Sequence, residues 1–400
     1  MEPQTVTLAH ILEAQTAIRS FARRTDLHPA SASVFGRREV LVKAENLQRT
    51  GSFKVRGAYN RIRLLTNEEK KSGVICASAG NHAQGVALAA GKLGIQAAVV
   101  MPIGAPLSKI EATKAYGAEV ILSGASFNES LEVALALQKE RGSVFIHAFE
   151  DPYVIAGQGT VGLEILEDLP EVKTVAVPIG GGGLAAGVAL AIKEQNPHIK
   201  VIGVEPVNAA SMLKSFQNAE PIRLTQCHTI ADGVAVSAPG TLTYSLCRKY
   251  LDGIITVTED EIATAILSAL ERMKMVAEGA GIIALAALMN HAELLTPAVA
   301  VVSGGNIDVN ALERIIDRAL MSAGRRTRLK TAVPDRPGHL SKLLELLAQQ
   351  GVNILSVSHD RLIGGLEIGQ TAVEVEMETR NHEHVQNVIN TLLAKGYSVS

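Results

Sequence analysis

The feature that most constrains the fold is a regular alternation, from about residue 70 to residue 320, of short apolar runs with longer segments of helical pattern. The runs are rich in β-branched residues and apolar on both faces, which is typical of parallel strands buried on both sides. This alternation predicts an α/β fold with parallel sheets, whose ligands bind where strands end and loops enter helices. Together with Val40–Ala44, the predicted strands are Val74–Ala77, Ala97–Met101, Glu119–Leu122, Val144–His147, Thr174–Val177, Val201–Val204, Gly253–Val257 and Ala298–Val302.

The pattern changes after Gly324-Arg325-Arg326, which we interpret as a basic hinge. The residues beyond it predict a separate small domain of ferredoxin-like order, βαββαβ. Its predicted elements are the strand Thr327–Val333, the helix Gly338–Gln350, the strand Asn353–Ser358, a turn at Gly364-Gly365, the strand Thr371–Met377, the helix His382–Lys395 and the strand Tyr397–Val399. We therefore expect a main region over residues 1–322, with a small subdomain at about 55–150, and a second domain over residues 327–400.

The composition describes a soluble globular protein, with 47% hydrophobic residues, 20% charged residues and a net charge of −2. This charge offers no basic surface for nucleic acid. The apolar stretch Ile282–Met289 is too short to span a bilayer, and the N-terminus lacks the pattern of a signal peptide. Cys76, Cys227 and Cys247 have no paired spacing, so we expect reduced thiols in a cytoplasmic protein.

The stretch from Thr50 to Ala58 lies between a predicted strand and a segment of helical pattern. We expect the small residues from Thr50 to Ser52 to cap this helix and Lys54 to lie in its first turn. The positive end of the helix and burial beside Phe53 would lower the pKa of Lys54. A partly neutral lysine can bond covalently to an aldehyde, although an ordinary solvated lysine is the alternative interpretation.

A second polar stretch, Ser78 to Gly85, closes the strand Val74–Ala77 and precedes a predicted helix at Val86–Gly91. It brings a hydroxyl, an amide and free backbone N–H groups to a helix N-terminus, an arrangement that suits a carboxylate. A capped turn with incidental polar residues is the alternative.

Four consecutive glycines, Gly180, Gly181, Gly182 and Gly183, separate a predicted strand from the helix Leu184–Glu194. Glycines let the backbone curl around an anion, and the dipole of the following helix adds to the attraction. We expect a phosphate here rather than a merely flexible turn.

A rival interpretation treats the same glycines as a dinucleotide fingerprint, Gly180-x-Gly182-x-x-Ala185, with Glu205 about 20 residues further on. The chain would then be a nicotinamide-dependent oxidoreductase. That interpretation leaves Lys54, the Asn81 loop and Ser303 without roles, and a single fingerprint is weak evidence.

Two further motifs follow strands or precede helices. Ser303-Gly304-Gly305-Asn306 places a hydroxyl at the end of the strand Ala298–Val302, where it could bond a buried ring nitrogen. Glu278 lies between small residues before a strongly apolar helix. An unpaired buried glutamate is costly, so we expect either a functional contact or a local helix cap.

Taken together, Ser52-Phe53-Lys54-x-Arg56-Gly57-Ala58, Ser78-Ala79-Gly80-Asn81-His82, the four glycines and Ser303-Gly304-Gly305-Asn306 resemble the serine/threonine dehydratases. These belong to the tryptophan-synthase-β-like group of pyridoxal-phosphate enzymes, of fold type II. The resemblance covers residues 1 to about 320. The stretch Asp335-Arg336-Pro337-Gly338-x-Leu340, followed by Gly351-Val352-Asn353-Ile354, resembles an ACT domain, as in threonine ammonia-lyases that carry a single such domain.

The resemblance implies pyridoxal 5'-phosphate as cofactor and a role for each motif. Lys54 would hold the cofactor covalently and take the α-proton, Asn81 would contact the ring oxygen, and Ser303 would face the ring nitrogen. The implied cofactor residues are Phe53, Lys54, Asn81, Gly180, Gly181, Gly182, Gly183, Glu278 and Ser303, and those for the substrate carboxylate are Ser78, Gly80, Asn81 and His82.

The implied reaction is deamination of L-threonine to 2-oxobutanoate and ammonia, and of L-serine to pyruvate. Racemases of this group carry a serine where this chain has Ala79, which favours elimination over racemisation. Some relatives bind a divalent cation through a Glu, a backbone carbonyl and an Asp; here Glu205 and Ala209 match, whereas Ser211 replaces the Asp and is a poorer ligand.

The resemblance also implies regulation and assembly. ACT domains commonly bind amino-acid effectors where two copies meet, which points to Asp335, Gly338 and Asn353 as effector residues. A single ferredoxin-like domain leaves a sheet edge unpaired, and pairing with a second copy would cover it. We therefore expect a homodimer or homotetramer whose activity responds to isoleucine or valine.

Overall fold

The computed structural model describes residues 5–361 and 367–399, and the chain divides into two compact units, Met1–Val309 and Asn310–Ser400. The strands are β1 (Leu27–Pro29), β2 (Val40–Ala44), β3 (Val74–Ala77), β4 (Ala97–Met101), β5 (Glu119–Leu122), β6 (Val144–Phe145), β7 (Thr174–Pro178), β8 (Lys200–Pro206), β9 (Gly253–Val257), β10 (Ala298–Val302), β11 (Arg326–Pro334), β12 (Asn353–Asp360) and β13 (Gln370–Glu378). The α-helices are α1 (Leu8–Ile18), α2 (Ala32–Phe35), α3 (Lys54–Arg63), α4 (Asn67–Ser72), α5 (Asn81–Lys92), α6 (Leu107–Ala115), α7 (Phe127–Arg141), α8 (Pro152–Asp168), α9 (Gly183–Lys193), α10 (Ser211–Asn218), α11 (Thr241–Tyr250), α12 (Glu259–Ser268), α13 (Gly279–Asn290), α14 (Val309–Ser322), α15 (His339–Gln349) and α16 (His382–Ala394).

The larger sheet of the first unit has six strands in the order β1-β2-β10-β7-β8-β9. All its pairings are parallel except that of the short β1 with β2. The central strands β7 and β10 are buried along their whole length, as apolar runs without alternation predict. Because β2, β10 and β7 are neighbours, the loops after their carboxyl ends meet at one edge of the sheet.

The smaller sheet of this unit has four parallel strands in the order β5-β4-β3-β6. Its central strands, β3 and β4, are also buried throughout. The predicted α/β fold with parallel sheets is therefore confirmed. The predicted strand ending at His147 is shorter than expected, since β6 ends at Phe145.

Two helix starts differ from the sequence-based expectation. Phe53 occupies the N-cap position of α3 and no side chain caps this helix, so the expected capping by Thr50 to Ser52 is wrong. The reason is tertiary, because Ser52 pairs as an isolated bridge with Gly304 beyond β10. Helix α5 begins at Asn81 rather than Val86, so the polar motif supplies its first turn.

The second unit contains α14 and a three-stranded antiparallel sheet in the order β11-β13-β12. Helix α14 groups with this unit, whereas the sequence pattern predicts that residues up to 322 belong to the main region. Residues Val373, Val375 and Met377 are buried on one face, and the glutamates between them lie on the other, as the alternation predicts. The buried face packs on α15 and α16 through Leu343, Leu347, Val388 and Leu392.

The predicted last strand, Tyr397–Val399, does not form. Tyr397 instead donates its backbone N–H to the carbonyl of Leu392 at 3.1 Å, a bond that closes the C-terminus of α16 after Gly396, and its side chain packs on the apolar cluster of the unit. The turn predicted at Gly364-Gly365 lies outside the described residues. Within residues 5–361 and 367–399, no helix is long and apolar enough to cross a bilayer. The three cysteines are free thiols.

Candidate active site

Lys54 is the first residue of α3 and is half-buried. Its Nζ donates to the carbonyl of Ala148 at 2.9 Å and lies 5.2 Å from the centroid of the Phe53 ring. Burial lowers the pKa of Lys54 to about 8, although the nearby carboxylate of Glu278 opposes this shift. A substantial neutral fraction near physiological pH makes this amine a competent nucleophile and proton acceptor. The predicted depression of its pKa is confirmed in direction.

Glu278 faces Lys54 from the N-cap position of α13. Its side chain makes no capping bond and instead accepts a hydrogen bond from Nδ2 of Asn81 at 2.5 Å. Burial, with a further contribution from Asp232, raises the pKa of Glu278 to about 7. Of the two interpretations left open by the sequence, the structure supports a contact within the site rather than a local cap.

Two neutral histidines flank Lys54. His82 bonds through Nε2 to the carbonyl of Ile146 at 2.8 Å, and burial, reinforced by Lys54, lowers its pKa to about 3. Nδ1 of His147 accepts the backbone N–H groups of Phe149 and Glu150, and burial lowers the pKa of His147 to about 4. Neither ring offers a positive charge to a substrate carboxylate. The backbone N–H groups at the start of α5 are therefore the better carboxylate donors in this motif.

Close packing requires glycine throughout the four-glycine turn, because a Cβ at any of these positions would lie 3.1 Å or less from another protein atom. A Cβ on Gly181 would lie 2.2 Å from the Phe149 ring, and one on Gly182 would lie 2.7 Å from Met212. Gly182 has φ of 94°, a left-handed conformation that favours glycine. Gly183 begins α9, whose first N–H groups have no partners within the helix. The turn thus combines a close backbone approach with anion-binding N–H groups.

The remaining motif residues lie around the same centre. Ser303 is 5% exposed, and its carbonyl accepts the N–H of Phe53 at 3.2 Å. Ser78 Oγ accepts the N–H of Gly80 at 3.2 Å, so this hydroxyl shapes the loop before α5. The structure therefore brings the ends of β2, β3 and β10 to one site. The segment after β6 joins them to the glycine turn, through the carbonyl of Ala148 and the ring of Phe149.

Glu205 binds the protein backbone, and this arrangement suits neither a metal site nor a dinucleotide site. Its two carboxylate oxygens accept the backbone N–H groups of Met212 and Leu213 at 2.9 and 2.8 Å, at the start of α10. Burial raises the pKa of Glu205 to about 7. Ser211 adds only a buried hydroxyl, and no cluster of metal-ligating side chains occurs in the described parts of the chain. The residues around Ala209 thus fit a divalent cation poorly, and Glu205 is too enclosed to bind a ribose.

The three expected effector residues are not brought together within one chain. Asp335 follows β11, whereas Asn353 begins β12. The end of β11 pairs with Gln370 of β13, and the start of β12 pairs with Glu378 of the same strand. Gln370 and Glu378 are roughly 27 Å apart, because an antiparallel strand rises about 3.4 Å per residue. Gly338, at the N-cap of α15, lies near Asp335 in sequence and so belongs to the other end from Asn353.

Sequence reasoning missed several residues of the site. Ala148 and Phe149 follow a predicted strand, so the rule that ligands bind at strand ends could have identified them. Thr243, whose hydroxyl donates to the carbonyl of Gly181 at 2.7 Å, lies in no recognisable motif. Asn306 ends the Ser303-Gly304-Gly305-Asn306 motif, whose pattern predicts no role for it, and only its contacts with Thr50 and Asn81 indicate one.

Comparison with known proteins agrees with this geometry. Residues 18–304 match the family model described as pyridoxal-phosphate dependent enzyme. L-threonine ammonia-lyase of Thermotoga maritima is 51% identical over 98% of this chain and 99% of its own length, and that of Geobacter sulfurreducens is 46% identical over 97% and 98%. Among solved structures, the processed form of threonine deaminase isoform 2 from Solanum lycopersicum has a TM-score of 0.75 at 38% identity, covering 80% of this chain and 96% of that one. Maize serine racemase has a TM-score of 0.74, also at 38% identity, covering 80% and 99%.

The match extends over all the motif residues from Lys54 to Ser303. The buried lysine of lowered pKa and the glycine turn at a helix N-terminus are the groups that this cofactor requires, one for its aldehyde and one for its phosphate. The dinucleotide interpretation of the glycines is therefore wrong. The chain belongs to the family of pyridoxal-phosphate dependent enzymes.

Proposed function

We propose that the protein is a threonine ammonia-lyase, which converts L-threonine to 2-oxobutanoate and ammonia and also accepts L-serine, giving pyruvate. The observation that carries the proposal is the amine of Lys54, whose pKa is lowered to about 8. It lies at the carboxyl ends of the strands of the six-stranded sheet, where the glycine turn also lies. The names of the relatives from Thermotoga maritima and Geobacter sulfurreducens, which match almost the whole chain, support the choice of substrate.

Each motif has a defined task in this reaction. Bound pyridoxal phosphate supplies an electron-withdrawing ring conjugated to the substrate nitrogen, which acidifies the Cα–H bond. Gly180 to Gly183 would hold the phosphate through backbone N–H groups, Ser303 would face the ring nitrogen and Phe53 would pack on the ring. Lys54 would hold the cofactor between turnovers, and its neutral amine would then take the proton from Cα.

The substrate is oriented by its carboxylate. The N-terminus of α5, from Gly80 onward, presents N–H groups and the positive end of the helix dipole. Since His82 is neutral and bonded to Ile146, it shapes this loop rather than supplying charge. Fixing the carboxylate there leaves the Cα–H bond free to face Lys54. The β-hydroxyl would leave as water, with its proton supplied by the phosphate group of the bound cofactor.

Racemisation is the second candidate function, because maize serine racemase is among the similar structures. Proton return to the opposite face of Cα requires a donor there, and Ala79 carries none. We therefore expect elimination to exceed racemisation greatly. Chiral analysis of the L-serine remaining during turnover tests this, and Ala79→Ser should raise D-serine to a detectable level. Abundant D-serine from the wild-type protein would contradict this assignment.

The central experiment joins cofactor identity to turnover. Purified protein should be yellow, borohydride should trap a pyridoxyl adduct on Lys54, and 2-oxoacid should be released from L-threonine. Lys54→Ala should lose the adduct and at least a thousandfold in turnover. Lys70→Ala, on α4, is the matched control and should change neither. Yellow protein without turnover would instead indicate an amino-acid sensor that has kept the cofactor fold.

Regulation is proposed for the second unit, as an ACT domain that binds isoleucine or valine. A cavity of about 450 Å³ in this unit is lined by arginines, a glutamate and leucines. A zwitterionic amino acid with an apolar side chain requires both charged and apolar groups of this kind. Its lining residues are Leu320, Arg325, Arg326, Leu355, Glu378 and Thr379. The cavity lies at the Asn353 end of the sheet, since Asn353 donates to Glu378 at 2.8 Å.

Calorimetry with isoleucine and valine tests this site, and Glu378→Ala should weaken binding about tenfold or more. Titration in the presence of saturating substrate separates the two sites. If isoleucine and valine bind nowhere except the substrate site, the second unit is not regulatory and serves only to join subunits.

Assembly is proposed through the edge of β12. This strand pairs only with β13 among the described strands, and it exposes Leu355 and Val357. Pairing with β12 of a second copy would cover the edge by two-fold symmetry. Sedimentation should show a homodimer or homotetramer, and Val357→Lys should reduce its stability. A wild-type monomer at micromolar concentration would rule this interface out.

A further inference from the structure

Three side chains form a continuous hydrogen-bonded series across the active site. Nδ2 of Asn306 donates both to the carbonyl of Thr50, at 2.6 Å, and to Oδ1 of Asn81, at 2.7 Å. Nδ2 of Asn81 in turn donates to Oε1 of Glu278. The series joins four segments that are distant in sequence, namely the turn before Lys54, the start of α5, the N-cap of α13 and the loop after β10.

The series can run in only one direction. The carbonyl of Thr50 can only accept, so the amide NH₂ group of Asn306 must face it. The same NH₂ group reaches Asn81, which must therefore present its oxygen. Consequently the NH₂ group of Asn81 faces Glu278. A flipped Asn81 would place two NH₂ groups against each other, whether or not Glu278 is protonated. Asn306, anchored on a backbone carbonyl, therefore sets the orientation.

Packing around the series leaves little room for another arrangement. A Cβ on Gly51 would lie 2.4 Å from Oδ1 of Asn306, and a Cβ on Gly304 would lie 2.1 Å from Oε1 of Glu278 and 3.1 Å from Nδ2 of Asn81. Two glycines thus allow the backbone to approach the amides closely. Asn306 therefore packs directly against the backbone of Gly51, next to the Thr50 carbonyl that it binds.

We propose that Asn306 is a positioning residue which holds the amide of Asn81 so that its second N–H is directed at the ring oxygen of the cofactor. The inference rests on the function proposed above, in which Asn81 contacts that oxygen. An N–H donor stabilises negative charge on the oxygen, whereas a flipped amide would place Oδ1 against it. Asn306 acts only through Asn81 and, by its bond to Thr50, also ties this contact to the segment that carries Lys54.

The test compares the holoenzyme of the wild type with Asn306→Asp and Asn306→Ser. An aspartate would set a carboxylate against the Thr50 carbonyl and Oδ1 of Asn81, so the Asn81 amide should flip. We expect the dissociation constant of pyridoxal phosphate to rise about tenfold or more, and the visible absorption band of the bound cofactor to move. Asn306→Ser keeps one donor and should give a smaller change in the same direction, and it serves if the Asp variant does not fold.

Two control variants separate positioning from stability. Asn60→Ala removes another buried amide, on α3, which donates to the Tyr153 carbonyl at 2.7 Å, and it should lower the thermal midpoint without moving the absorption band. Asn290→Ala removes an amide at the other end of α13, which donates to the Ala286 carbonyl at 2.8 Å, and it should also leave the band in place.

The outcomes differ for the two proposals. If both Asn306 variants keep the wild-type band and affinity, or if either control variant moves the band as far as they do, Asn306 does not position Asn81. A wild-type protein without the band and without 2-oxoacid release would instead overturn the proposed function itself.

Discussion

Lys54 and Arg56 are two residues apart on α3, yet they belong to buried charged clusters of opposite character. Arg56 binds Glu45 at 2.7 Å and Glu164 at 2.6 Å, and Lys43 binds Glu164 at 2.8 Å. Lys54 instead has a backbone carbonyl as its hydrogen-bond partner, and Glu278 acts on it only through space. The Arg56 cluster is buried, and Lys54 is half-buried beside the buried Glu278, so the main difference lies in how completely the charges are paired.

The pKa values express this difference. Burial acts against the charged form of Arg56, but Glu45 and Glu164 more than offset it and raise its pKa. Burial likewise acts to raise the pKa of Glu164, and Arg56 turns the net shift downward. In the active site, burial prevails, lowering the pKa of Lys54 and raising that of Glu278. Full pairing produces a permanent structural charge, whereas incomplete pairing produces groups that can exchange protons near neutral pH.

The largest expected effect comes from breaking the paired cluster. Arg56→Met would leave Glu45 and Glu164 buried without their main partner and should destabilise the protein by about 3–5 kcal/mol in urea unfolding. The exposed pair of Arg141 with Glu119, at 2.6 Å, provides the control. Arg141→Met should change stability by less than about 1 kcal/mol, since exposed pairs contribute little. Equal unfolding midpoints for the two variants would refute the contrast.

A smaller effect is expected at the incompletely paired carboxylate. The folded pKa of Glu278, about 7, lies above its ordinary value of 4.5, so the folded state binds more protons between these pH values. Its contribution to stability is therefore present below pH 4.5 and is lost as pH rises through 7. Glu278→Gln removes this loss. The free energy of unfolding of the variant, relative to that of the wild type, should therefore rise by on the order of 2 kcal/mol between pH 5.5 and pH 8.

Urea unfolding of the cofactor-free proteins at these two pH values measures the gain. Glu374→Gln, on the solvent side of β13, is the control and should show no such trend. A pH-independent difference for Glu278→Gln would mean that Glu278 has an ordinary pKa.

The smallest expected effect concerns the amine itself. Only neutral Lys54 can attack the cofactor aldehyde, so its capture rate should rise tenfold per pH unit and level off above about pH 8. His82 and His147, with pKa values of about 3 and 4, should add no step in this range. Stopped-flow absorbance with cofactor-free protein records the profile, and N-α-acetyl-lysine provides the reference. A midpoint near 10.5 for both would show that the site does not desolvate Lys54.

Much of the fold followed from local pattern. Apolar runs such as Ala97–Met101 and Ala298–Val302 were predicted with their observed bounds, because a doubly buried strand has no polar face to interrupt it. The prediction of a strand at Tyr397–Val399 is wrong, because a short apolar segment is equally typical of a strand and of the residues that follow a helix. The lowered pKa of Lys54 was predictable in direction, since its place at a helix start beside Phe53 is a local property.

The sequence by itself determined which segments are strands and helices, and that the motifs lie at their ends, because periodicity and glycine content are properties of neighbouring residues. Only the tertiary structure decided which of these ends meet. Asn306 and Thr50 are far apart along the chain, and their contact exists because β2 and β10 are adjacent in the sheet. Tertiary structure likewise decided that Arg56 is paired with carboxylates whereas Lys54 is not, since ion pairing depends on the elements packed around each side chain.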